Sequence, residues 1–319
     1  MRWFGRRRGG EVDRKGIPAS LPLSLVIIAY NMGRELPRTL QSLSPPYQHG
    51  IASGDYEIIV LDNGSSQPLD LTACRRHCPD LRYYAVPQPT PSPVPAINQG
   101  LALARGALIG VWIDGARLAS PGLLSTALLA ARTHPRPVIG TLGFHLGPGL
   151  QSLSMRHGYD RPSEDALLAD IDWTRNGYRL FEVSSFAGSS ANGWFGALAE
   201  SNALFITRAH WAELGGFERQ FQFPGGGLAN LDMWRRACLS PDSQVILLLG
   251  EGTFHQIHGG VATNSLLDRY PEYDQEYQRL RGSPYRPPVI DPLFVGKIPP
   301  QVLPKLAASI HMALHGPAA

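Results

Sequence analysis

Asn31, Asp62 and Asp114 each follow a continuous apolar run. Leu23 to Ala29 (LSLVIIA) ends at Tyr30-Asn31, Tyr56 to Leu61 (YEIIVL) at Asp62-Asn63-Gly64-Ser65-Ser66, and Leu108 to Ile113 (LIGVWI) at Asp114-Gly115-Ala116-Arg117. A carboxylate accepts hydrogen bonds or ligates a cation, an amide both donates and accepts, and a guanidinium grips an oxyanion through paired N–H groups. His255 and His258 stand in GEGTFHQIHGG (250–260) and offer imidazole nitrogen to a metal ion. Glu200 and Asp232 are acids, and a carboxylate can take a proton from a hydroxyl. Each residue also has a plain structural reading. Asn63-Gly64 makes a turn unaided, Glu35 suits the positive end of a helix, Asp232 can pair with Arg235 or Arg236, and Trp194 can belong to the core.

These side chains need a scaffold that brings them together. Continuous Val/Ile/Leu runs read as strands covered on both faces, as in a parallel sheet. Ligands of open α/β sheets bind beyond the carboxyl ends of the strands. One sheet edge therefore receives Asn31, Asp62 and Asp114 together. Helical patterns alternate with the strands: Glu35 to Leu43, a helix near 68–77, a strand at Leu81 to Val86, the Pro-rich connector 87–95, a helix at Ala96 to Arg105 and another at 121–133. The pattern predicts an α/β fold with a doubly wound, mostly parallel sheet. The second half is less regular. It reads as a strand near 138–144, a short helix around Ser163 to Ile171, a mobile Gly/Ser-rich loop at Phe186 to Gly196, a strand at Ser201 to Thr207 and helices at 208–214 and 229–238. A strand at Val245 to Leu249 then leads into the histidine segment.

Composition narrows the classes. With 319 residues, 43% of them hydrophobic, the chain has material for a full core. Residues 1–15 carry a net charge of +4, so the rest of the chain carries −1 and is a poor nucleic-acid binder. The basic tail, taken as residues 1–20, reads as a solvated arm and as the place for any peripheral contact with acidic lipid. No run is long enough to span a membrane, and the first residues lack the apolar core of a secretory signal. Three cysteines without metal-knuckle spacing suit a reducing, cytoplasmic location. The expected organisation is the tail, a main domain over 21–265 and a helical extension over 266–319.

LSLVIIAYNMGRELPRTLQSL, YEIIVLDNGSSQP, NQGLALARGALIGVWIDGA and ALFITRAHWAELGGFERQF, in that order, resemble family 2 glycosyltransferases, which have the GT-A fold. The resemblance spans roughly 23–260. It implies that Ala29, Tyr30 and Asn31 meet the nucleoside of a sugar donor, that Glu35 lies near the ribose or base, that Asp62 bonds the base, and that Asn98 and Gly100 lie beside the donor sugar. The second half becomes the acceptor side, where Trp194 would stack on a sugar. At Asp114 the family presents Asp-x-Asp, whose carboxylates hold a divalent metal on the diphosphate; here position 116 is Ala. Two repairs stay open. Asp114 joins His258, or His255, around a metal, with Mn²⁺ preferred to Mg²⁺; or Arg117 replaces the metal as a fixed cation. The metal is the first choice. The family's Glu-Asp pair aligns with Ala229-Asn230, which leaves Asp232 or Glu200 as the base of an inverting transfer.

The implied activity is transfer of a sugar from a UDP, GDP or dTDP donor to a hydroxyl of a glycan or lipid-linked acceptor, in surface polysaccharide or glycan assembly. The competing expectation is a degenerate, non-catalytic nucleotide-sugar-binding protein, suggested by the missing acids at 116 and 229–230. A nucleotidyltransferase would need a basic Gly-rich loop that is absent. No G-x-G-x-x-G follows the first strand, no P-loop occurs and no G-x-S-x-G elbow occurs, which excludes dinucleotide cofactors, P-loop NTPases and α/β-hydrolases.

Overall fold

Alternate residues of the first apolar run face opposite layers. Leu23, Leu25 and Ile27 enter one core cluster, and Val26 and Ile28 enter another. This is the pattern of a strand covered on both sides. The computed structural model describes residues 21–260, Asn264 and 269–316. The basic tail expected over 1–20 lies outside the described residues.

The strands are β1 Leu23–Ala29, β2 Tyr56–Asp62, β3 Arg82–Ala85, β4 Leu108–Trp112, β5 Arg117–Ala119, β6 Pro137–Leu146, β7 Ser184–Phe186, β8 Leu204–Thr207, β9 Gln244–His255 and β10 Leu293–Gly296. The main sheet runs β10-β9-β6-β8-β4-β1-β2-β3, with β5 on β9 and β7 on β6. Pairings among β4, β1, β2 and β3 and among β6, β9 and β10 are parallel. β8 runs against both β4 and β6. The mostly parallel sheet expected from the sequence is therefore present, with β8 as the reversal at its centre.

The helices are α1 Glu35–Ser42, α2 Leu71–His77, α3 Val94–Leu103, α4 Leu123–Ala130, α5 Gln151–Ser154, α6 Arg161–Asp170, α7 Arg208–Leu214, α8 Ala229–Cys238, α9 Tyr270–Arg281 and α10 Leu303–His315. α1, α2 and α4 cover one face of the sheet, and α3, α7, α8 and α9 cover the other. A third cluster gathers Phe144, Phe181, Trp194 and Phe254 against the far halves of β6 and β9.

Three local readings change. β9 does not end at Leu249 but continues to His255, because Gly250 takes a positive φ of 80° and lets the strand bend without ending. The loop at 186–196, read as mobile, is anchored: Trp194 is buried and its indole N–H donates to the Leu248 carbonyl at 3.0 Å. The stretch after residue 266 holds α9 and α10 and, between them, β10, which extends the sheet beside β9. All three cysteines are free thiols, and no helix among the described residues is long and apolar enough to cross a membrane.

Candidate functional site

Parallel pairing of β2, β1 and β4 sets their carboxyl ends side by side. The Gly115 N–H donates to the Ile28 carbonyl at 2.8 Å and the Asn63 N–H to the Ala29 carbonyl at 2.9 Å, so the segments after the strands are stitched together. Asn31, Asp62 and Asp114 thus share one edge, as expected. Asn31 adopts φ 53°, and its side-chain oxygen accepts from the Ser66 N–H at 2.8 Å. Its own N–H donates to Ser65 Oγ at 2.9 Å. Asp62 is buried; it accepts from the Ser65 N–H at 2.8 Å and from the Tyr83 hydroxyl at 2.9 Å. Tyr30 projects from this shelf, 54% exposed.

At the β4 end, the two oxygens of Asp114 face different ways. Oδ1 accepts from the Ala116 N–H at 2.9 Å. Oδ2 lies 2.8 Å from His255 Nε2 and 3.2 Å from His258 Nε2. The three ligand atoms lie within 4.8 Å of one another. His255 is the last residue of β9, which lies beside β5 in register Arg117↔His255. Residues three apart on a strand would point to opposite faces, but the chain leaves β9 after His255, and with the Ile257 N–H held by Glu164 and the His258 N–H by Asn264 Oδ1, His258 lies beside His255. Ala116, where the family has a second carboxylate, is fully buried in the core, and its carbonyl accepts from the Gln256 N–H at 2.8 Å. His255 at the end of β9 and His258 just beyond it therefore stand beside Asp114, where position 116 offers no carboxylate.

The electrostatics follow from this packing. Burial alone would raise the Asp114 carboxyl, but the two imidazoles outweigh it and hold that carboxyl well below the ordinary range. Burial pushes His255 down to about 4. At His258 burial also opposes charge, but Asp114 and Glu35 outweigh it and raise the imidazole. Arg117 is buried, its Nε is 4.0 Å from Asp114 Oδ2, and neither Nε nor Nη1 has a hydrogen-bond partner. Burial lowers this guanidinium, against the pull of Asp114 and Glu200. A buried cation with unmatched donors beside a carboxylate–imidazole cluster is suited to an oxyanion ligand.

Glu200 belongs to the same neighbourhood through its action on Arg117. Its carboxylate accepts from Asn230 Nδ2 at 2.6 Å and from Asn202 Nδ2 at 3.4 Å. Asn230, at a position where the family carries an acid, therefore touches one. Asp232 sits elsewhere. It is 1% exposed and is held by Arg236 at 2.8 Å and by Arg281 at 2.6 and 2.9 Å. Its place is an ion-pair hub between α8 and α9, which corrects its reading as a base.

Four other expectations are relocated by the structure. Glu35 is buried under Arg34 (2.9 Å) and Arg161 (3.6 Å), so it faces basic side chains rather than an open shelf. The Asn98 amide is committed on both sides to Phe217, donating to its carbonyl and accepting from its N–H, each at 2.9 Å. Gly100 is a close-packing residue: a Cβ there would come within 2.3 Å of Val26 Cγ1. Trp194 lies among Phe144, Phe181 and Phe186 with no exposed face, so no sugar can stack on it.

Sequence reading missed the residues that carry the histidine segment. Glu164 on α6 accepts from the Ile257 N–H at 2.9 Å, and Arg34 and Arg161 donate to the carbonyls of Ile257 (3.2 Å) and His258 (2.9 Å). Gln151 accepts from or donates to groups of His255 and Asn264. Nothing in their local sequence marks them. A shallow, open groove lined by Tyr159, Arg161, Ile257 and Gly259 among others lies beside this segment.

Residues 24–168 match the sequence model described as Glycosyl transferase family 2. This segment is a family 2 glycosyltransferase domain. Its sheet, mostly parallel with the ends of β1, β2 and β4 at one edge, is of the GT-A type. The structure is also similar to that of S. aureus TarS, at 11% identity and a TM-score of 0.48, covering 81% of this chain and 42% of that one. A second similarity is to TarS 1-349 in complex with UDP-GlcNAc, at 14% identity and a TM-score of 0.49, covering 81% of this chain and 65% of that one. The chain thus spans less than half the length of the first of these relatives. No curated protein matches the sequence. Within the family 2 domain lie Asn31, Asp62, Asp114 and Arg117; the histidines and Glu200 come from the chain beyond it.

Proposed function

We propose that the protein is a metal-assisted, inverting glycosyltransferase that moves a sugar from a nucleoside diphosphate to a hydroxyl acceptor. The observation that carries this reading is the meeting of Asp114, His255 and His258 at the carboxyl end of β4 in a family 2 domain. One carboxylate and two imidazoles fit a borderline divalent ion, and Mn²⁺ suits that donor set better than Mg²⁺. Such an ion, held by these three side chains, supplies positive charge against the diphosphate leaving group. Arg117 adds a fixed charge to the same oxyanion, so the two repairs weighed from sequence act together.

The chain's own groups complete the reaction. The shelf of Tyr30, Asn31 and Asp62 receives the nucleoside; Asp62 retains lone pairs beyond those used by Ser65 and Tyr83. Glu200, oriented by Asn230, takes the proton of the acceptor hydroxyl as its oxygen bonds to the anomeric carbon and the bond to the diphosphate breaks. Attack opposite the leaving group inverts that carbon. A glycan or lipid-linked hydroxyl as acceptor, surface glycan assembly on the cytoplasmic side and peripheral membrane contact through the basic tail are the context that the family resemblance carries into this reading.

The test is turnover of UDP-, GDP- and dTDP-sugars with Mn²⁺, before and after chelation. Chelation and Asp114→Ala are each expected to lower donor turnover at least about a hundredfold, the scale of losing charge stabilisation at an oxyanion. Unchanged turnover in Asp114→Ala would remove the site from the mechanism. Loss of turnover only in Arg117→Ala, with chelation inert, would assign the charge to arginine alone. Tight nucleotide binding with no turnover for any donor would support the non-catalytic binder, which the absent acids at 116 and 229–230 also favour.

A further inference from the structure

His255 has two ring nitrogens, and only one of its neutral forms leaves Nε2 free to bind a cation. The choice between them follows from a chain of hydrogen bonds that starts on the backbone. The N–H groups of His258, Gly259 and Gly260 all point at Asn264 Oδ1, at 3.0, 3.2 and 3.4 Å. Backbone N–H groups only donate, so this atom is the amide oxygen and the other end of Asn264 is NH₂. That NH₂ donates to Gln151 Oε1 at 3.0 Å. The opposite end of Gln151 faces the carbonyl oxygens of His255 (2.8 Å) and Leu146 (3.4 Å), which only accept, so that end is NH₂. Both routes orient Gln151 the same way. Its oxygen lies 2.6 Å from His255 Nδ1, and an amide oxygen carries no proton. With the proton on Nδ1 the amide oxygen accepts it, and Nε2, 2.8 Å from Asp114 Oδ2 and 3.2 Å from His258 Nε2, is the nitrogen left for a shared cation.

We propose that Gln151, seated by Asn264, is a positioning residue that holds His255 in the Nδ1–H form and so keeps the Asp114–His255–His258 cluster ready for a divalent cation. The proposal rests on the metal reading above. Gln151 is fully buried, so water does not compete for its amide. Without it, a neutral His255 gains by moving its proton to Nε2 and donating to Asp114. That closes the cluster with a hydrogen bond and removes a ligand. The same Asn264 oxygen gathers the three N–H groups of the turn that returns His258, so one side chain sets both histidines. Gln151 also donates its backbone N–H to His145 Nδ1 at 3.1 Å, which fixes its position between the two rings.

The experiment uses the full chain labelled with ¹⁵N-histidine, without metal, at pH 8, with the His255 signals assigned from His255→Asn. Wild type is expected to show a protonated Nδ1 and a bare Nε2. Gln151→Leu is expected to show the opposite form and to bind Mn²⁺ about 10–100-fold more weakly by calorimetry. Gln151→Glu keeps an acceptor for Nδ1–H and is expected to restore the wild-type form and Mn²⁺ affinity within a few-fold; a purely packing role for Gln151 predicts no such split between the two variants. A wild-type proton on Nε2, or Gln151→Leu with an unchanged tautomer and unchanged Mn²⁺ affinity, overturns the proposal while leaving the metal reading standing. Wild type that binds no Mn²⁺ overturns the metal reading itself, and the proposed cation seat with it.

Discussion

At the scale of single residues, function is decided by which polar groups remain unmatched. Asn98, Glu35 and Asp232 all looked able to do chemistry, and all three have partners within the fold. Asp114 and Arg117 are different: Asp114 faces two imidazoles, and two nitrogens of Arg117 bond to nothing. The two candidate bases separate on the same ground. Glu200→Gln removes a proton acceptor and keeps the contact with Asn230 within reach of an amide. It is expected to lower kcat by about 10²–10⁴-fold with little change in the melting temperature. Asp232→Asn leaves two arginines short of a buried carboxylate. It is expected to destabilise the chain by about 3 kcal/mol, with kcat per folded molecule retained. Measuring both variants by turnover and by urea denaturation separates the roles; equal loss of kcat in the two would undo the assignment.

At the scale of elements, the contact between α3 and β1 shows how a family motif can serve packing. Asn98 pins the turn at Phe217, and Gly100 lets the helix approach β1. Gly100→Ala is expected to destabilise by about 1–3 kcal/mol through overpacking, with nucleotide affinity unchanged. A tenfold loss of affinity at unchanged stability would return Gly100 to the donor site. The two ends of the sheet also differ. At the amino ends, Glu57 on β2 is saturated by Ser24 (2.6 Å), Arg82 (2.5 Å) and Arg105 (2.9 Å). Burial opposes its charge, but these partners outweigh it and hold the carboxyl below its usual value. The carboxyl ends keep Asp114 for histidines. Strand direction thus separates the saturated Glu57 from the carboxylate–imidazole cluster on one sheet.

At the scale of the whole molecule, β9 ties the parts together. It carries His255 at its end and Glu251 four residues earlier, buried against Ser120 and the Tyr178 hydroxyl (2.8 Å). Burial raises the Glu251 carboxyl to about 7. An acid whose folded value is raised favours folding fully below its unfolded value of 4.5, and this contribution is lost as pH rises through about 7. The loss amounts to about 3 kcal/mol above that range. Glu251→Gln is therefore expected to shrink the stability difference between pH 5 and pH 8.5 by roughly that amount, read from urea midpoints. A pH profile identical to wild type would show that the carboxyl is ionised throughout.

The order of β1, β2 and β4, the edge they share and the family they belong to were legible in the sequence. Apolar runs such as LSLVIIA need cover on both faces, and that need dictates a parallel sheet with its polar residues at one edge. The bend at Gly250 that carries β9 to His255 was not legible, because a positive φ leaves no mark beyond a glycine. Nor were Gln151, Asn264, Glu164 and Arg34, whose links to the histidine segment and to one another include contacts 93 to 223 residues apart. The sequence by itself determined which residues stand at the strand ends. Tertiary structure alone decided which of them are satisfied by the fold and which are left for a ligand, because hydrogen-bond saturation depends on partners that only folding brings within 3 Å.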